Sequence, residues 1–173
     1  MGTKGDKGEP ASLWVIRGAP GVGKSAAARS IRKRLPSCAV IEVDTLRGMR
    51  GSPDWKDTES HLLGLEQAAR LARSFIRNGV APVIVVDTMM ADRLAYFEDQ
   101  AGRRCKVFMF VVAEDELRRR VRSREAGFRD EATILKMARA IRASPVKGEV
   151  VVDTSRLSPE AAAAMVVLMG NGC

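Results

Sequence analysis

The stretch GAPGVGKS (residues 18–25) decides the fold of this chain. It follows the apolar run SLWVIR (12–17) and precedes good helix formers that continue to Leu35, where Pro36 ends the predicted helix. The stretch matches the pattern GxxxxGK[ST], a loop whose glycines let backbone N–H groups surround phosphate oxygens. Average residue usage would produce this pattern by chance in roughly one in a hundred chains of this size, or fewer. A phosphate-binding loop (P-loop) between a strand and a helix is therefore predicted.

The parts of this loop have predicted roles in holding a nucleotide and its metal ion. We expect Lys24 to neutralise the β and γ phosphates of ATP, and the hydroxyl of Ser25 to ligate Mg²⁺. GTPase switches are disfavoured because the guanine-binding tetrapeptide NKxD does not occur in the chain, and large ATPase machines need a longer chain. Small kinases remain. The predicted nucleotide-binding residues of the loop are Gly18, Ala19, Pro20, Gly21, Val22, Gly23, Lys24, Ser25 and Ala26.

Strands alternate with helices along the rest of the chain. Further strands are predicted at 38–43, 80–87, 105–112 and 148–153, and helices at 58–78, 91–101, 114–124, 130–142 and from Ser158 onward. The segment after residue 43 is predicted to be a glycine-containing loop. The alternation predicts an α/β, single-domain P-loop NTPase with a doubly wound, five-stranded parallel sheet and helices on both faces. The domain is expected over residues 12–173, after a flexible tail at 1–11.

Composition limits the classes of protein that the chain can belong to. Apolar residues make up 46% and charged residues 29%, as in ordinary folded proteins, and the apolar runs are too short to span a bilayer. Cys38, Cys105 and Cys173 are widely separated and only one histidine is present, so neither a disulfide framework nor a zinc site is expected. The cytoplasm is the expected location. The net charge of +8 favours a polyanionic partner, although phosphate-handling enzymes also concentrate arginine.

The carboxyl ends of the predicted strands supply the candidate catalytic residues. Ligands of open α/β sheets bind beyond these ends, so the loops that follow the strands should converge on one cleft. We expect Asp44 to take the proton from an acceptor hydroxyl, and Arg47 to anchor the acceptor or stabilise the transferring charge. Alternatively, Asp44 caps a short helix that starts at Thr45. Asp87 is expected to hold Mg²⁺, directly or through water, or to contact the acceptor together with Thr88.

The densest basic stretch of the chain predicts an Arg-rich lid at about residues 118–130. Such a lid would close over the triphosphate and exclude water. The alternative is a solvated helix face. In the loop before the long helix, Trp55 would either stack on an acceptor ring or pack over the core, and His61 is expected to be an exposed helix residue. The arginines of this stretch that are predicted to bind the nucleotide are Arg120, Arg124 and Arg129, with Arg124 also catalytic.

GAPGVGKS, VDTLR, VIVVDT and the arginine-rich stretch together resemble a group of small, AAA-type P-loop kinases. The group includes the 5′-kinase domains of polynucleotide kinases, chloramphenicol phosphotransferases and zeta-toxin-like kinases, and the resemblance covers about Leu13 to Val167. It implies transfer of the γ-phosphoryl group of ATP to a hydroxyl, with Asp44 as the base. The pair Asp44 and Arg47 matches the base and acceptor-side cation of polynucleotide kinases. Those enzymes often carry Asp-Thr-Asn where this chain has Asp87-Thr88-Met89.

The sequence leaves the acceptor open. A nucleic-acid end is slightly favoured by the net charge and by the Asp44 and Arg47 pair. The alternative acceptor is a small alcohol, such as an antibiotic or a metabolite. A third hypothesis is a nucleotide-gated binding module, in which ATP orders the lid and no acceptor is phosphorylated.

Overall fold

A single parallel sheet forms the centre of the molecule. The computed structural model describes residues 12–51, 54, 56–123 and 127–172. Its sheet has the order β2-β3-β1-β4-β5, and every neighbouring pair is parallel. The predicted five-stranded parallel sheet is confirmed. The strands are β1 (Leu13–Arg17), β2 (Ala39–Glu42), β3 (Val83–Asp87), β4 (Lys106–Val111) and β5 (Val150–Asp153).

Helices cover both faces of the sheet, as predicted. Side chains of β1 alternate between the two faces: Trp14 and Ile16 join one core, whereas Leu13 and Val15 join the other. Helices α1 and α7 pack together on the first face, and α3 and α4 pack together on the second. The helices are α1 (Lys24–Arg34), α2 (Val43–Gly48), α3 (Thr58–Arg77), α4 (Ala91–Ala101), α5 (Glu114–Arg122), α6 (Glu131–Arg142) and α7 (Pro159–Asn171).

Several predictions concern residues outside the described ranges. These are the predicted tail at residues 1–11, the aromatic Trp55, the lid arginine Arg124 and the cysteine Cys173. Of the other two cysteines, Cys38 is buried and Cys105 is partly buried, and both are free thiols. In the described part of the chain, no helix is long and apolar enough to cross a membrane.

Helix α2 occupies part of the segment that was predicted to be a loop. Its residues Val43 and Arg47 are buried, four positions apart, and they face α3 at Gly64. A Cβ atom at Gly64 would lie 2.8 Å from the Cγ of Arg47 and 3.0 Å from a methyl carbon of Val43. The missing side chain at Gly64 therefore lets the two helices approach closely. The loop prediction was wrong because tertiary packing, rather than a long periodic pattern, determines this short helix.

An alanine scan of two glycines tests this close packing. Gly64→Ala should lower the free energy of unfolding by about 1–3 kcal/mol, since the new methyl group overpacks the contact between the helices. Gly48→Ala is the matched control, because a Cβ atom at that helical position meets no atom within 4 Å. It should leave stability unchanged or raise it by up to about 1 kcal/mol. Urea unfolding measures both changes, and equal effects would contradict the packing argument.

A buried ion pair connects the end of β1 to the segment before β5. Arg17 is fully buried, and its guanidinium donates to both carboxylate oxygens of Glu149 at 2.7 and 2.9 Å. The same guanidinium donates to the backbone oxygens of Met89 (3.2 Å) and Ser144 (2.8 Å). Glu149 also accepts a hydrogen bond from the backbone N–H of Val146. One side chain thus connects β1, the loop after β3 and the segment that leads into β5.

Removing one partner of this pair should be costly. Glu149→Ala is expected to lower the free energy of unfolding by roughly 3–5 kcal/mol, because it leaves a buried guanidinium without its counter-charge. The double variant Arg17→Met/Glu149→Leu should recover much of that loss, since no isolated charge then stays buried. Urea unfolding is the measurement. Glu114→Ala, which breaks a surface ion pair with Arg139, is the control and should have a much smaller effect. Equal losses for Glu149→Ala and Glu114→Ala would contradict the assigned role.

Candidate functional site

The predicted P-loop lies between β1 and α1, as expected. Gly21 and Gly23 have φ values of 93° and 101°, which other residues rarely adopt, so glycine is needed at both positions. Helix α1 begins directly after Gly23, which has no side chain to cap the first N–H groups of the helix, so these groups are available to an anion. The ammonium of Lys24 donates to the backbone oxygens of Gly18 (2.7 Å) and Ala19 (3.0 Å). This strand–loop–helix unit presents backbone donors and a cation to one space, which suits a polyphosphate.

A cleft of about 260 Å³ opens beside the loop, at the carboxyl ends of β1, β2 and β3. It brings together most of the residues that the sequence predicted for catalysis and metal binding. The buried loop residues Ala19 and Val22 pack into the core instead, and contribute through their backbone. The predicted residues that line the cleft are Pro20, Gly21, Gly23, Lys24, Ser25, Ala26, Asp44, Asp87, Thr88 and Arg120.

Asp44 lies on the rim of this cleft, in the first turn of α2. The helix begins at Val43 with Glu42 as its N-cap, so the alternative that Asp44 caps a helix starting at Thr45 was wrong. Partial desolvation raises the pKa of Asp44 above its ordinary value, and the negative charge of Asp87 raises it further. Lys24, Arg47 and His61 act in the opposite direction. A carboxylate with a raised pKa is a stronger base, which suits proton abstraction from a hydroxyl.

Arg47 lies behind Asp44 rather than in the cleft. Its side chain is buried between α2 and α3, and it donates to the backbone oxygen of Asp54 at 3.1 Å. The nearest approach of its guanidinium to the Asp44 carboxylate is 3.9 Å. From this position Arg47 fixes α2 and supplies positive potential to Asp44. A direct contact with the acceptor stays a prediction.

Glu42 is a residue of the cleft that the sequence analysis did not identify. Its carboxylate accepts a hydrogen bond from the hydroxyl of Ser25 at 2.7 Å. A hydroxyl beside a carboxylate is a donor set that suits Mg²⁺, which is usually held by one or two protein oxygens together with substrate phosphates. In the described residues, no group of three or more His, Cys, Asp and Glu side chains could hold a metal ion alone. The signal for Glu42 in the sequence was its position at the end of β2, two residues before Asp44.

His61 is the second residue that the sequence analysis missed. It was expected to be exposed, but only 17% of its side chain is accessible, and its Nε2 lies 2.6 Å from Oδ2 of Asp87. The exposure prediction was therefore wrong. His61 precedes the buried Leu65 by four residues on α3, so it lies on the buried stripe of that helix, and this spacing was the available signal. His61 holds one oxygen of Asp87 and orients the other.

Arg120 is the α5 arginine that reaches the P-loop. Its guanidinium donates to the backbone oxygen of Thr154 (2.7 Å) and lies 3.5 Å from the backbone oxygen of Val22. The hydroxyl of Thr154 also donates to Val22, at 2.8 Å. A second cavity of about 290 Å³ opens on this side of the loop, between α5 and the start of α7. The loop is therefore accessible from two sides, the cleft with its carboxylates and a cavity lined by Arg119, Arg120, Leu157 and Pro159 among others.

Among residues 118–123 and 127–130, which the structure describes, the other arginines of this stretch do not form a lid. Arg118 and Arg122 form ion pairs with Glu131 of α6, and Arg119 pairs with Glu116. Hydrogen bonds from Arg119, and next from Arg120, hold the pKa of Glu116 at about 2. Arg124 lies outside the described residues. Arg129 is exposed and does not line the cleft, so its contact with a nucleotide stays a prediction.

A P-loop between β1 and α1, followed by carboxylates at the ends of β2 and β3 of a five-stranded parallel sheet, defines a P-loop kinase-like fold. The sequence matches the AAA domain family AAA_33 over residues 13–144, and the chain belongs to this family. The predicted membership in an AAA-type group of small P-loop kinases is thereby confirmed. No curated protein matches the sequence significantly.

Several solved structures, a small kinase among them, have similar folds. A sugar kinase from Janibacter sp. HTCC2649 is similar with a TM-score of 0.71 and 17% identity, over 94% of this chain and 96% of that chain. The tunicamycin resistance protein of Deinococcus radiodurans has a TM-score of 0.70 and 19% identity, over 92% and 96%. A chain of the Pnkp1/Rnl/Hen1 RNA repair complex has a TM-score of 0.63 and 18% identity, over 83% of this chain and 48% of its own. At these identities the likeness concerns the fold.

The raised pKa of Asp44 leads to a prediction about pH. If Asp44 is the base, phosphoryl transfer should fall as pH drops through its pKa, which lies above that of an ordinary aspartate. Asp87→Asn removes a neighbouring negative charge, so the acid limb of kcat/KM should move to lower pH. The measurement is the pH profile of kcat/KM for both proteins with the same substrates, so that titration of ATP itself cancels. An acid limb that stays in place or moves upward would contradict the assignment.

Proposed function

We propose that this chain is an ATP- and Mg²⁺-dependent kinase that transfers the γ-phosphoryl group to an acceptor hydroxyl, preferably the 5′-hydroxyl of a polynucleotide. One observation carries the proposal. The carboxylate of Asp44, with its raised pKa, lines the same cleft as Lys24 and Ser25 of the P-loop. A base and a phosphate-binding loop in one cleft are the arrangement that in-line transfer to a hydroxyl requires.

The residues of the cleft divide the reaction between them. Backbone N–H groups of the P-loop and the ammonium of Lys24 bind the triphosphate. Ser25 and Glu42 would hold Mg²⁺, and Asp87 stays a predicted ligand, directly or through water; the ion supplies charge neutralisation at the phosphates when bound. Asp44 accepts the proton of the acceptor hydroxyl as that oxygen attacks phosphorus, and ADP leaves on the side of the loop where Arg120 lies.

The acceptor side of the cleft is formed by Asp44, Asp87 and Thr88. His61 holds Asp87 in place through the 2.6 Å contact. Arg47 would then act through α2 by positioning Asp44, and a direct contact with the acceptor would need a movement of its buried side chain. The preference for a polynucleotide rests on the net charge of +8, since a chain of phosphates is the acceptor that such a charge attracts.

Transfer of labelled γ-phosphate from ATP tests the proposal. The acceptor panel contains 5′-hydroxyl RNA and DNA oligonucleotides, nucleosides, sugars and hydroxyl-bearing antibiotics. Asp44→Asn should lower transfer about 100-fold or more while ATP still binds. Asp153→Asn is the matched control, since Asp153 is exposed at the end of β5 and does not line the cleft.

The outcomes separate the hypotheses. Label on oligonucleotides that disappears with Asp44→Asn, but not with Asp153→Asn, would support the proposed acceptor and base. Label on a small alcohol alone would keep the kinase and replace its acceptor. Bound ATP with no labelled product would favour a nucleotide-gated binding module, and full activity of Asp44→Asn would remove Asp44 from the mechanism.

A further inference from the structure

Two surface hollows extend the cleft along the edge of the sheet that β2 forms. The cleft shares Arg29 and Glu42 with a hollow of about 370 Å³ between α1, β2 and α3. That hollow shares Leu46 and Leu71 with another, of about 560 Å³, between α2 and α3. We call these two hollows the β2-edge groove. The groove begins beside Asp44 and continues away from the P-loop.

The charge of the β2-edge groove is strongly positive. The exposed arginines Arg29, Arg32, Arg50 and Arg70 line it, and in the described part of the chain none of them forms an ion pair. The acid among the described lining residues is Glu42, and its carboxylate accepts the hydroxyl of Ser25. The arginines of α5 differ, because each of the four forms an ion pair with Glu116 or Glu131. The groove is therefore a surface where positive charge remains available for a ligand.

Apolar side chains lie exposed among these arginines. Leu71 and Phe75 of α3 are 39% and 38% accessible, and Met49, just after α2, is 75% accessible. Leu71 and Phe75 lie one helical turn apart and both line the groove. Flat or flexible apolar groups interspersed with arginines provide contacts for the faces of unpaired bases next to contacts for phosphates.

We propose that the β2-edge groove binds single-stranded nucleic acid, namely the nucleotides that follow the 5′ end placed at Asp44. The proposal rests on the proposed polynucleotide acceptor. Arginines of the groove contact the phosphates, while Phe75, Leu71 and Met49 contact the bases. An acidic peptide would satisfy the same arginines. Nucleic acid is favoured because the groove adjoins the cleft, with which it shares Arg29 and Glu42, beside the residue that would deprotonate a terminal hydroxyl.

Binding is measured by fluorescence anisotropy with a 3′-labelled single strand of about 12 nucleotides. Arg50→Glu/Arg70→Glu should weaken binding about tenfold or more, and should reduce the slope of log affinity against log salt by about 1.4. Phe75→Ala should weaken binding about fivefold or more, since one stacking contact is lost. Lys136→Glu/Lys147→Glu is the matched control. It makes the same change in net charge on α6 and the loop before β5, near the opposite edge of the sheet, and should change affinity less than about threefold.

The dependence of affinity on strand length gives a second measurement. The ratio of affinities for the long strand and for a dinucleotide should be high in the wild type and should fall in the groove variants. Equal losses in the groove and control variants would overturn the proposal, because they would indicate a general effect of charge. A blunt duplex that binds as tightly as the single strand would also overturn the proposal. Tight binding of poly-glutamate without any binding of the single strand would overturn it as well.

The failure of this proposal is distinguishable from the failure of the proposed function. If 5′-hydroxyl oligonucleotides are phosphorylated but the groove variants bind them as tightly as the wild type does, the proposed binding role of the groove is wrong and the proposed kinase activity is supported. If the groove variants lose binding but no oligonucleotide is ever phosphorylated, the groove stands as a binding site and the proposed acceptor fails.

Discussion

The buried ion pair of Arg17 and Glu149 holds the site together. Arg17 is the last residue of β1, directly before the P-loop, and its guanidinium also binds backbone oxygens after β3 and α6. Burying two charges has a desolvation cost that apolar residues of similar volume do not have. A buried ion pair therefore adds little stability by itself. Its effect here is geometric. It fixes the P-loop relative to the loop that carries Thr88 and to the segment that leads into β5 and Thr154, which are the parts that would have to stay in register around a triphosphate in the proposed function.

The sequence was sufficient to predict the sheet, because each buried strand has a continuous apolar run and GAPGVGKS fixes where the first strand ends. It was insufficient for α2. Six residues carry too little periodicity to be assigned, and the helix depends on contacts with Gly64, which lies on another element. The same contact determines the position of Arg47, which the sequence placed in a loop after β2 and the structure places on α2, behind Asp44.

Within the site, the sequence identified residues that belong to a motif or follow a strand end. It missed residues that act through another side chain. Glu42 binds Ser25 and His61 binds Asp87, and each pair joins residues at least 17 positions apart in the chain. Pairs of this kind are visible only once the strand order is known. The burial of His61 could be predicted from its spacing to Leu65. Its hydrogen-bond partner, Asp87, could not be predicted from the sequence.

The distribution of positive charge shows why a count along the chain misleads. The arginines of α5 are the densest in the sequence, yet each of the four pairs with an acid three or four residues away or on the neighbouring helix, with two arginines to each acid. Arg29, Arg50 and Arg70 are far apart in the sequence and come together at the edge of the sheet, where no described acid pairs with them. A polyanion responds to the charge that remains after internal pairing. The surface beside Asp44 is one place where positive charge stays unpaired, whereas the arginines of α5 attach α5 to α6 and, through Arg120, to the P-loop.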